Sequence, residues 1–285
     1  MTIWEECDLN FKRHTPKKRF GQHWLIDEGV LNQITMAANL KVDDCVLEVG
    51  PGRGALTAKL IGSEAGFIHA IELDRDLIVG LQDKFKNNPK LILQQGDVLS
   101  IPLQSTTVPS SNKVVANIPY NITGSLLQKL LGTLVNPLDI PYELLVLLLQ
   151  KEVADRILAK PGQSCFSSLS VKVQLMASCE SVCEVAPRCF QPPPKVNSKV
   201  IVLKPFKPEK YLNPLIASRL DLLIRTTFIA RRKMLRNSLR ALMPSSELIL
   251  WAEKSGIELN RRPQELSIEN WLSMAANLDC CEDSI

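Results

Sequence analysis

The tetrapeptide Asn117-Ile118-Pro119-Tyr120 is the segment whose residue types most directly suggest chemistry. An exocyclic amine of a nucleobase is a poor nucleophile, because its lone pair is delocalised into the ring. The Asn117 side-chain oxygen and the Ile118 carbonyl could accept hydrogen bonds from such an amine and favour a tetrahedral nitrogen. Pro119 would stiffen the loop, and Tyr120 would offer a flat face to an extruded base. These residues predict catalysis by positioning and electrostatics.

A glycine loop, Gly50-Pro51-Gly52-Arg53-Gly54, is the second candidate, and it follows the acid Glu48. Glycine lets a backbone turn sharply and approach a ligand closely. The spacing differs from the Gly-x-Gly-x-x-Gly of dinucleotide-binding loops, and the Glu48 carboxylate would repel a pyrophosphate. An ammonium group would instead be attracted. The loop therefore favours S-adenosylmethionine, whose amino acid end and sulfonium are cationic.

Two further acids follow apolar runs and fit the same ligand. Glu72 lies near the end of the second predicted strand, 67–73, which is the first strand after the glycine loop. An acid at this place accepts hydrogen bonds from both ribose hydroxyls. Both NAD and S-adenosylmethionine carry this ribose, so Glu72 predicts an adenosine ligand without choosing between them. Asp97 ends the third run and could accept from the adenine amine, although alone it is more simply a turn aspartate after Gly96.

Alternating strands and helices must position these residues. Strands are predicted at 45–49, 67–73, 91–93, 113–116 and 143–149, with helices at 55–61, 76–85 and 125–134. Nearly continuous apolar strands that alternate with helices predict a doubly wound, mostly parallel α/β sheet. Ligands of such sheets bind at the carboxyl ends of the strands, which is where the sequence places Gly50, Glu72, Asp97 and Asn117.

The composition changes after Lys204, and residues 204–208 form a predicted boundary. Beyond it the patterns are only helical, at 213–224, 231–242, 247–254 and 267–278. We predict a sheet-bearing catalytic domain at 1–205, whose first 27 residues form a basic arm and the first cofactor motif. A small all-α domain is predicted at 206–285.

The composition excludes several classes of protein. Hydrophobic residues make up 45% and charged residues 22%, which is typical of globular chains and excludes fibrous or disordered ones. The eight cysteines form neither a Cys-x-x-Cys pair nor a ligand spacing with histidine, so no metal and no disulfide framework is expected. No catalytic use is expected for Cys280 and Cys281. With no signal peptide, membrane span or left-over apolar surface, we expect a cytoplasmic monomer without a membrane partner.

Two segments contain basic residues but no acid, although the net charge is only +4. The first, 9–26, contains Lys17, Lys18 and Arg19. The second, 222–246, contains a stripe on one face of the predicted helix 231–242, formed by Arg232, Arg236 and Arg240. The segments suggest an anionic partner, although for either one alone a solvated basic face is an equally simple interpretation.

Five strings of the sequence resemble the KsgA-type small-subunit rRNA adenine dimethyltransferases. They fall in the family's order, cover about residues 12–275, and lie at 18–25, 48–57, 117–122, 190–198 and 231–239. The resemblance implies a Rossmann-like class I methyltransferase that uses S-adenosylmethionine in ribosome biogenesis. It would convert two adjacent adenosines to N6,N6-dimethyladenosine in the 3′-terminal hairpin of 16S rRNA, with the small ribosomal subunit as its partner. The helical domain 206–285 would bind this rRNA, and the arginine stripe and residues 17–19 are the candidate RNA contacts.

The resemblance also implies roles for single residues. The positions of His23 and Leu25 contact the amino acid end of the cofactor, and Phe190 would sandwich the target base opposite Tyr120. Two departures keep the residue character, because Trp24 replaces a usual phenylalanine and His23 an asparagine of many members. With the motifs above, the candidate cofactor contacts are His23, Leu25, Glu48, Gly50, Gly52, Glu72, Asp97 and Asn117.

Three other functions were weighed against this interpretation. A large-subunit rRNA methyltransferase of the antibiotic-resistance type is disfavoured by the forms of 52–57 and 231–239. An assembly factor without catalysis is disfavoured by the intact tetrapeptide, although both roles can coexist. An NAD-dependent oxidoreductase is disfavoured by the glycine spacing and by Glu48.

Overall fold

A computed structural model describes residues 15–17, 21–86, 88–103 and 109–278 of the chain. They divide into two compact units. The first comprises the described residues up to Leu130 with Pro141–Ala154 and Cys179–Pro205, and the second comprises Leu131–Ile140, Asp155–Ser178 and the described residues from Phe206 onward. One division between the units falls after Pro205, where the sequence predicts a domain boundary. Two earlier segments of the chain, Leu131–Ile140 and Asp155–Ser178, also belong to the second unit.

The described strands are β1 (Trp24–Leu25), β2 (Cys45–Val49), β3 (Phe67–Glu72), β4 (Leu91–Gln95), β5 (Lys113–Asn117), β6 (Leu144–Gln150), β7 (Ala177–Val185), β8 (Phe190–Gln191) and β9 (Ser198–Pro205). Seven of them form one sheet in the order β4-β3-β2-β5-β6-β9-β7. The five from β4 to β6 are parallel, whereas β9 runs antiparallel to β6. Strands β1 and β8 form a separate antiparallel pair.

The sequence explains why the centre of this sheet is parallel and buried. Every residue of β2 is buried, and so is every residue of β6 except its last. Strands covered on both faces need continuous apolar runs rather than alternation. From β2 the chain proceeds to β3 and β4 on one side and later to β5 and β6 on the other. The strand order therefore reverses between β2 and β5, which is where such sheets bind ligands.

The helices of the first unit connect these strands. They are α1 (Glu28–Ala38), α2 (Ala55–Ile61), α3 (Arg75–Lys84) and α4 (Thr123–Leu131), while α5 (Lys151–Leu158) begins in this unit and ends in the second. Asp27 and Asp74 cap α1 and α3 with side chains that accept backbone N–H bonds. The predicted fold class is confirmed, and the helix 55–61 has the predicted bounds.

Strand β9 and its neighbour β7 were not predicted. In β7 most side chains are partly or fully exposed, and its sequence mixes serine, cysteine and glutamate with valine. Such an edge strand lacks the continuous apolar run by which the parallel strands were recognised. The sheet is therefore mixed at this edge and parallel elsewhere.

The second unit is helical. Its helices are α6 (Ser168–Gln174), α7 (Pro214–Phe228), α8 (Leu235–Ser238), α9 (Ser245–Ser255) and α10 (Ile268–Ala276). Trp271 is fully buried and stacks on Phe228 with ring centroids 5.6 Å apart. A membrane-crossing length of apolar helix is not found among the described residues.

The predicted helix 231–242 is wrong. Residues 231–234 form a turn and an extended residue, α8 spans only Leu235–Ser238, and Leu239–Ala241 form a 3-10 turn. The N–H groups of Leu235 and Arg236 donate to the carbonyls of Arg261 and Leu259, at 2.9 Å each, instead of to the preceding turn. Crowded cations also disfavour a continuous helix here.

Candidate functional site

A cavity lies at the carboxyl ends of β2 to β5. Its empty volume, including the open solvent at its mouth, is about 910 Å³. Its lining includes one residue or turn from each strand end: Gly50, Glu72, Asp97 and Asn117. The structure therefore brings together the four strand ends that the sequence singled out, and it adds the segment 21–24 as a further wall.

The glycine loop is tightly packed at Gly52 and Gly54. Gly50, Gly52 and Gly54 have φ values of 68°, 59° and 77°, a region that favours glycine. A Cβ at Gly52 would lie 2.6 Å from Trp24 Cδ1, so the loop and the indole leave no room for a side chain. The Arg53 guanidinium stacks on that indole, 3.9 Å from its centroid. Trp24, one of the two departures from the family pattern, therefore supports the loop.

Glu72 is fixed toward the cavity by two backbone donors. Its Oε2 accepts from the Gly52 N–H at 3.0 Å and its Oε1 from the Asp74 N–H at 2.9 Å. Burial raises the pKa of Glu72, and these hydrogen bonds oppose the rise. Each carboxylate oxygen has a second lone pair, so the group can still accept hydrogen bonds from a ligand hydroxyl.

Asp97 is exposed and lines the cavity after β4. Its Oδ1 accepts from the Leu99 N–H at 2.9 Å, which is the bond of an Asx turn. Asp97 is thus the turn aspartate of the simpler interpretation, and the turn leaves its carboxylate in the lining of the cavity.

Asn117, the last residue of β5, is oriented by the backbone of the N-terminal segment. Its Nδ2 donates to the His23 carbonyl at 3.1 Å. A carbonyl can only accept, so the amide nitrogen must face it and Oδ1 must face the opposite way. The adjoining loop is anchored by the Ile118 N–H, which donates to the Leu148 carbonyl at 3.2 Å. Asn117 therefore offers an acceptor in a fixed direction.

Tyr120 is held by contacts at its hydroxyl and its ring. The hydroxyl lies 2.6 Å from Ser198 Oγ, and burial raises the pKa of the phenol. The ring stacks on the His23 imidazole at 5.8 Å and 26°. His23 Nδ1 lies 2.8 Å from the Pro192 carbonyl and must carry a proton to bond it. His23 thus links the tetrapeptide to the segment after β8.

Glu48 is buried beneath the glycine loop rather than exposed in the cavity. It is 1% exposed, and its Oε2 has no hydrogen-bond partner among the described residues. Burial raises its pKa to about 8, hydrogen bonds from Thr57 oppose the rise, and the nearby Glu72 adds to it. Near neutral pH the group is therefore mostly protonated, in contrast to the carboxylate that the sequence suggested.

Glu48→Gln is expected to change the pH dependence of stability. Between about pH 4.5 and 8 the folded chain keeps a proton that the unfolded chain has lost, so this group makes the free energy of unfolding fall as pH rises. In the variant this pH-dependent fall is absent. The difference in unfolding free energy, variant minus unaltered protein, should therefore rise by on the order of 3 kcal/mol between pH 5 and pH 8.5. Urea unfolding at the two pH values measures it.

The exposed carboxyl of Glu143 provides the matched control for this prediction. Glu143→Gln is expected to follow the pH profile of the unaltered protein. Equal pH profiles for Glu48→Gln and the unaltered protein would contradict the burial-driven shift.

Leu25 and Phe190 do not line the cavity. They face each other in the β1–β8 pair, are 4% and 3% exposed, and belong to the hydrophobic core. The alternation of the short ladder turns Phe190 inward and Gln191 outward. This position does not agree with stacking of Phe190 on a target base, because the ring would have to leave the core.

The candidate RNA contacts have separate environments. Arg232, Arg236 and Arg240 are exposed, but they lie on a turn, a helix and a 3-10 turn rather than on one helical face. Lys17 forms ion pairs with Asp74 and Asp76. Lys18 and Arg19 lie outside the described residues, as do Cys280 and Cys281.

Two residues of the site were not singled out from the sequence. Gln22 lines the cavity, and Asp74 orients it through a hydrogen bond of 2.9 Å. An aspartate before a helical run is a helix-start signal, and it could have located the cap at Asp74. Nothing local in the sequence indicates that Asp74 also holds the N-terminal segment.

Comparison with known proteins gives consistent matches along the chain. The family model described as "Ribosomal RNA adenine dimethylase" matches residues 13–279. A "Ribosomal RNA small subunit methyltransferase A" from Prochlorococcus marinus (strain MIT 9303) is 57% identical over 271 residues, which cover 95% of this chain and 97% of the relative. A relative of the same name from Synechococcus sp. (strain WH7803) is 55% identical over equal shares.

Two solved structures are similar over most of the chain. A dimethyladenosine transferase from Plasmodium falciparum has a TM-score of 0.75 and 28% identity, covering 88% of this chain and 96% of its own. The 23S rRNA methyltransferase ErmE has a TM-score of 0.70 and 25% identity, covering 90% and 100%. The small-subunit methyltransferases are thus about twice as similar in sequence as the large-subunit enzyme.

Proposed function

The chain belongs to the ribosomal RNA adenine dimethylase family, and from this premise we propose that it dimethylates adenosines of small-subunit rRNA. It is a methyltransferase whose methyl donor is S-adenosylmethionine and whose substrate is the N6 amine of two adjacent adenosines in the 3′-terminal hairpin of 16S rRNA. The observation that supports this best is the meeting of three oriented acceptors, Glu72, Asp97 and Asn117, at one cavity. The large-subunit alternative is disfavoured by the lower identity to ErmE.

The residues present fit S-adenosylmethionine. Glu72 offers a preoriented acceptor for ribose hydroxyls, and the glycine loop lets a ligand approach the backbone closely. Glu48, whose buried Oε2 has no hydrogen-bond partner among the described residues, lies two residues before Gly50. A cation bound nearby would favour its ionised carboxylate. Once bound, the cofactor supplies an electrophilic methyl group on its sulfonium.

Asn117 activates the target amine in the proposed reaction. Its Oδ1 and the Ile118 carbonyl accept hydrogen bonds from the amine, which localises the nitrogen lone pair and directs it at the methyl group. The fixed amide of Asn117 needs no reorganisation at that moment, which is how preoriented dipoles lower a barrier. The amine loses its proton after transfer, so no strong base has to act earlier.

Tyr120 positions the extruded base. Its ring is restrained by the His23 stack and by the Ser198 hydrogen bond, so it offers an aromatic surface at the end of β5 without a large loss of rotamer freedom. Base–aromatic stacking contributes about 1–3 kcal/mol per base. Because Phe190 lies in the core, the stacking role falls to Tyr120, whose ring is packed on His23.

Labelled methyl transfer to purified ribosomal subunits tests this function. Small subunits that lack adenine dimethylation should take up label, and large subunits assayed in parallel should take up none. Label in large-subunit RNA would contradict the assignment to small-subunit rRNA. A protein that binds cofactor but transfers no label would instead support the assembly-factor function.

Charge reversal should reveal the RNA-binding surface of the second unit. Arg236→Glu combined with Arg240→Glu is expected to weaken small-subunit binding and to reduce the slope of log affinity against log salt by about 1–2, because each phosphate contact releases counterions. Lys86→Glu, at an exposed turn of the first unit, is the control. An unchanged salt slope would mean that the two arginines only form a solvated surface.

We also propose that the protein acts as a cytoplasmic monomer. Its proposed substrate is part of the small ribosomal subunit, and the four strand-end residues that line the cavity come from one sheet and the turns that follow its strands. Light scattering of the purified protein tests the monomer, with a mass near 31.8 kDa as the expected result.

A further inference from the structure

A cluster of charged groups joins the N-terminal segment to the loop that follows Glu72. Lys17 Nζ lies 2.7 Å from Asp74 Oδ1 and 2.6 Å from Asp76 Oδ2. Gln22 Nε2 donates to Asp74 Oδ2 at 2.9 Å, and the Lys17 N–H donates to Gln22 Oε1 at 2.8 Å. Asp74 therefore holds two residues of the N-terminal segment, one with each carboxylate oxygen.

Asp74 is suited to this task by its burial. Its side chain is 2% exposed, and Oδ1 also caps α3 by accepting the Asp76 N–H at 3.2 Å. Burial raises the pKa of Asp74, but hydrogen bonds from Lys17 and Gln22 outweigh that effect and lower it below its usual value. A buried carboxylate requires such partners, so Lys17 and Gln22 complete the environment of Asp74.

Both ends of this cluster reach the cavity. On the N-terminal side, Gly21 to Trp24 form one wall, and Gln22 belongs to it. On the other side, the Asp74 N–H donates to Glu72 Oε1, the proposed ribose acceptor. The wall and the acceptor are therefore fixed relative to each other through a single residue, Asp74, which uses its carboxylate on one side and its backbone N–H on the other.

We propose that Lys17, Gln22 and Asp74 form a latch that keeps residues 21–24 against the cavity and thereby sets how tightly the cofactor is retained. This inference rests on the proposed function, because it concerns the ligand of the same cavity. Lys17 and Asp74 are positioning residues that act through Gln22 and Glu72. Without the Lys17 cation the segment leaves the cavity wall more often, and the bound ligand dissociates faster.

Calorimetric binding of S-adenosylhomocysteine to the full chain tests the latch without requiring turnover. Lys17→Ala should raise the Kd about tenfold, since charge-assisted bonds to a buried group are lost. Lys17→Arg retains the cation and should stay within about threefold of the unaltered protein. Lys59→Ala removes a lysine of similar exposure, 31% against 30%, from an ion pair with Glu28, and should not change the Kd.

Steady-state kinetics separate the latch from a general structural role. For Lys17→Ala we expect a rise in the KM for S-adenosylmethionine that exceeds any fall in kcat, and Lys17→Arg should restore the KM. An unchanged Kd in Lys17→Ala, or an equal rise in Lys59→Ala, would overturn the latch. Failure of the unaltered protein to bind S-adenosylhomocysteine would be a different result, because it would contradict the proposed function itself.

Discussion

Asn117→Ala is expected to lower kcat for methyl transfer by about 10²–10³-fold, the range seen when one preoriented hydrogen-bonding group is removed from a reaction centre. The physical reason is the loss of Oδ1, which the Nδ2 bond to the His23 carbonyl directs away from the backbone. Without it the amine keeps its lone pair delocalised. Single-turnover assays on undermethylated small subunits measure this rate.

The affinity for S-adenosylhomocysteine provides the internal control for this variant. Asn117 lines the cavity at its edge, whereas the proposed ribose and adenine contacts come from Glu72 and Asp97. We therefore expect the Kd to change by no more than a few-fold. A variant that transfers methyl groups at the unaltered rate would exclude the role assigned to Asn117.

Gly52→Ala is expected to abolish cofactor binding at accessible concentrations. The new Cβ would meet Trp24 Cδ1 at 2.6 Å and Nε1 at 3.0 Å, and the indole is buried and stacked under Arg53. The residue also has a φ of 59°, where alanine is strained. Either the loop moves, which displaces the Gly52 N–H from Glu72, or the indole moves, which opens the wall at 21–24.

Gly256→Ala isolates the backbone strain from the steric clash. Its φ is 67°, and a Cβ there would have nothing within 4 Å. It should cost about 1 kcal/mol of unfolding free energy and leave cofactor binding unchanged. Calorimetric titration of both variants with S-adenosylhomocysteine measures their affinities. If Gly52→Ala bound the ligand as tightly as the unaltered protein, this result would contradict the tight packing of the loop.

Much of the first unit is predictable because its signals are local. The strand Cys45–Val49 and the helix Ala55–Ile61 have the predicted bounds, since an apolar run, a glycine loop and helical spacing follow one another directly. Parallel strands bring their carboxyl ends to one edge. The meeting of Glu72 and Asn117 at one cavity therefore followed from the fold class alone.

The remaining features depend on contacts between distant segments. The helix at 231–242 is interrupted because carbonyls of Leu259 and Arg261 take the N–H groups that a helix would use. Phe190 turns inward because it pairs with Leu25. In both cases the contacting residues are far apart in sequence, so a pattern of neighbouring residues cannot reveal them. The burial that raises the pKa of Glu48 likewise results from the packed sheet and not from its neighbours in sequence.

The most direct test of the account is nucleoside analysis of 16S rRNA after reaction with the unaltered protein. Small subunits that lack the modification should gain N6,N6-dimethyladenosine at two adjacent positions of the 3′-terminal hairpin. With Asn117→Ala, neither of the two adenosines should be dimethylated at the same time point. Dimethyladenosine in large-subunit RNA, or methylation of a different atom, would contradict the claim that this cavity dimethylates small-subunit adenosines.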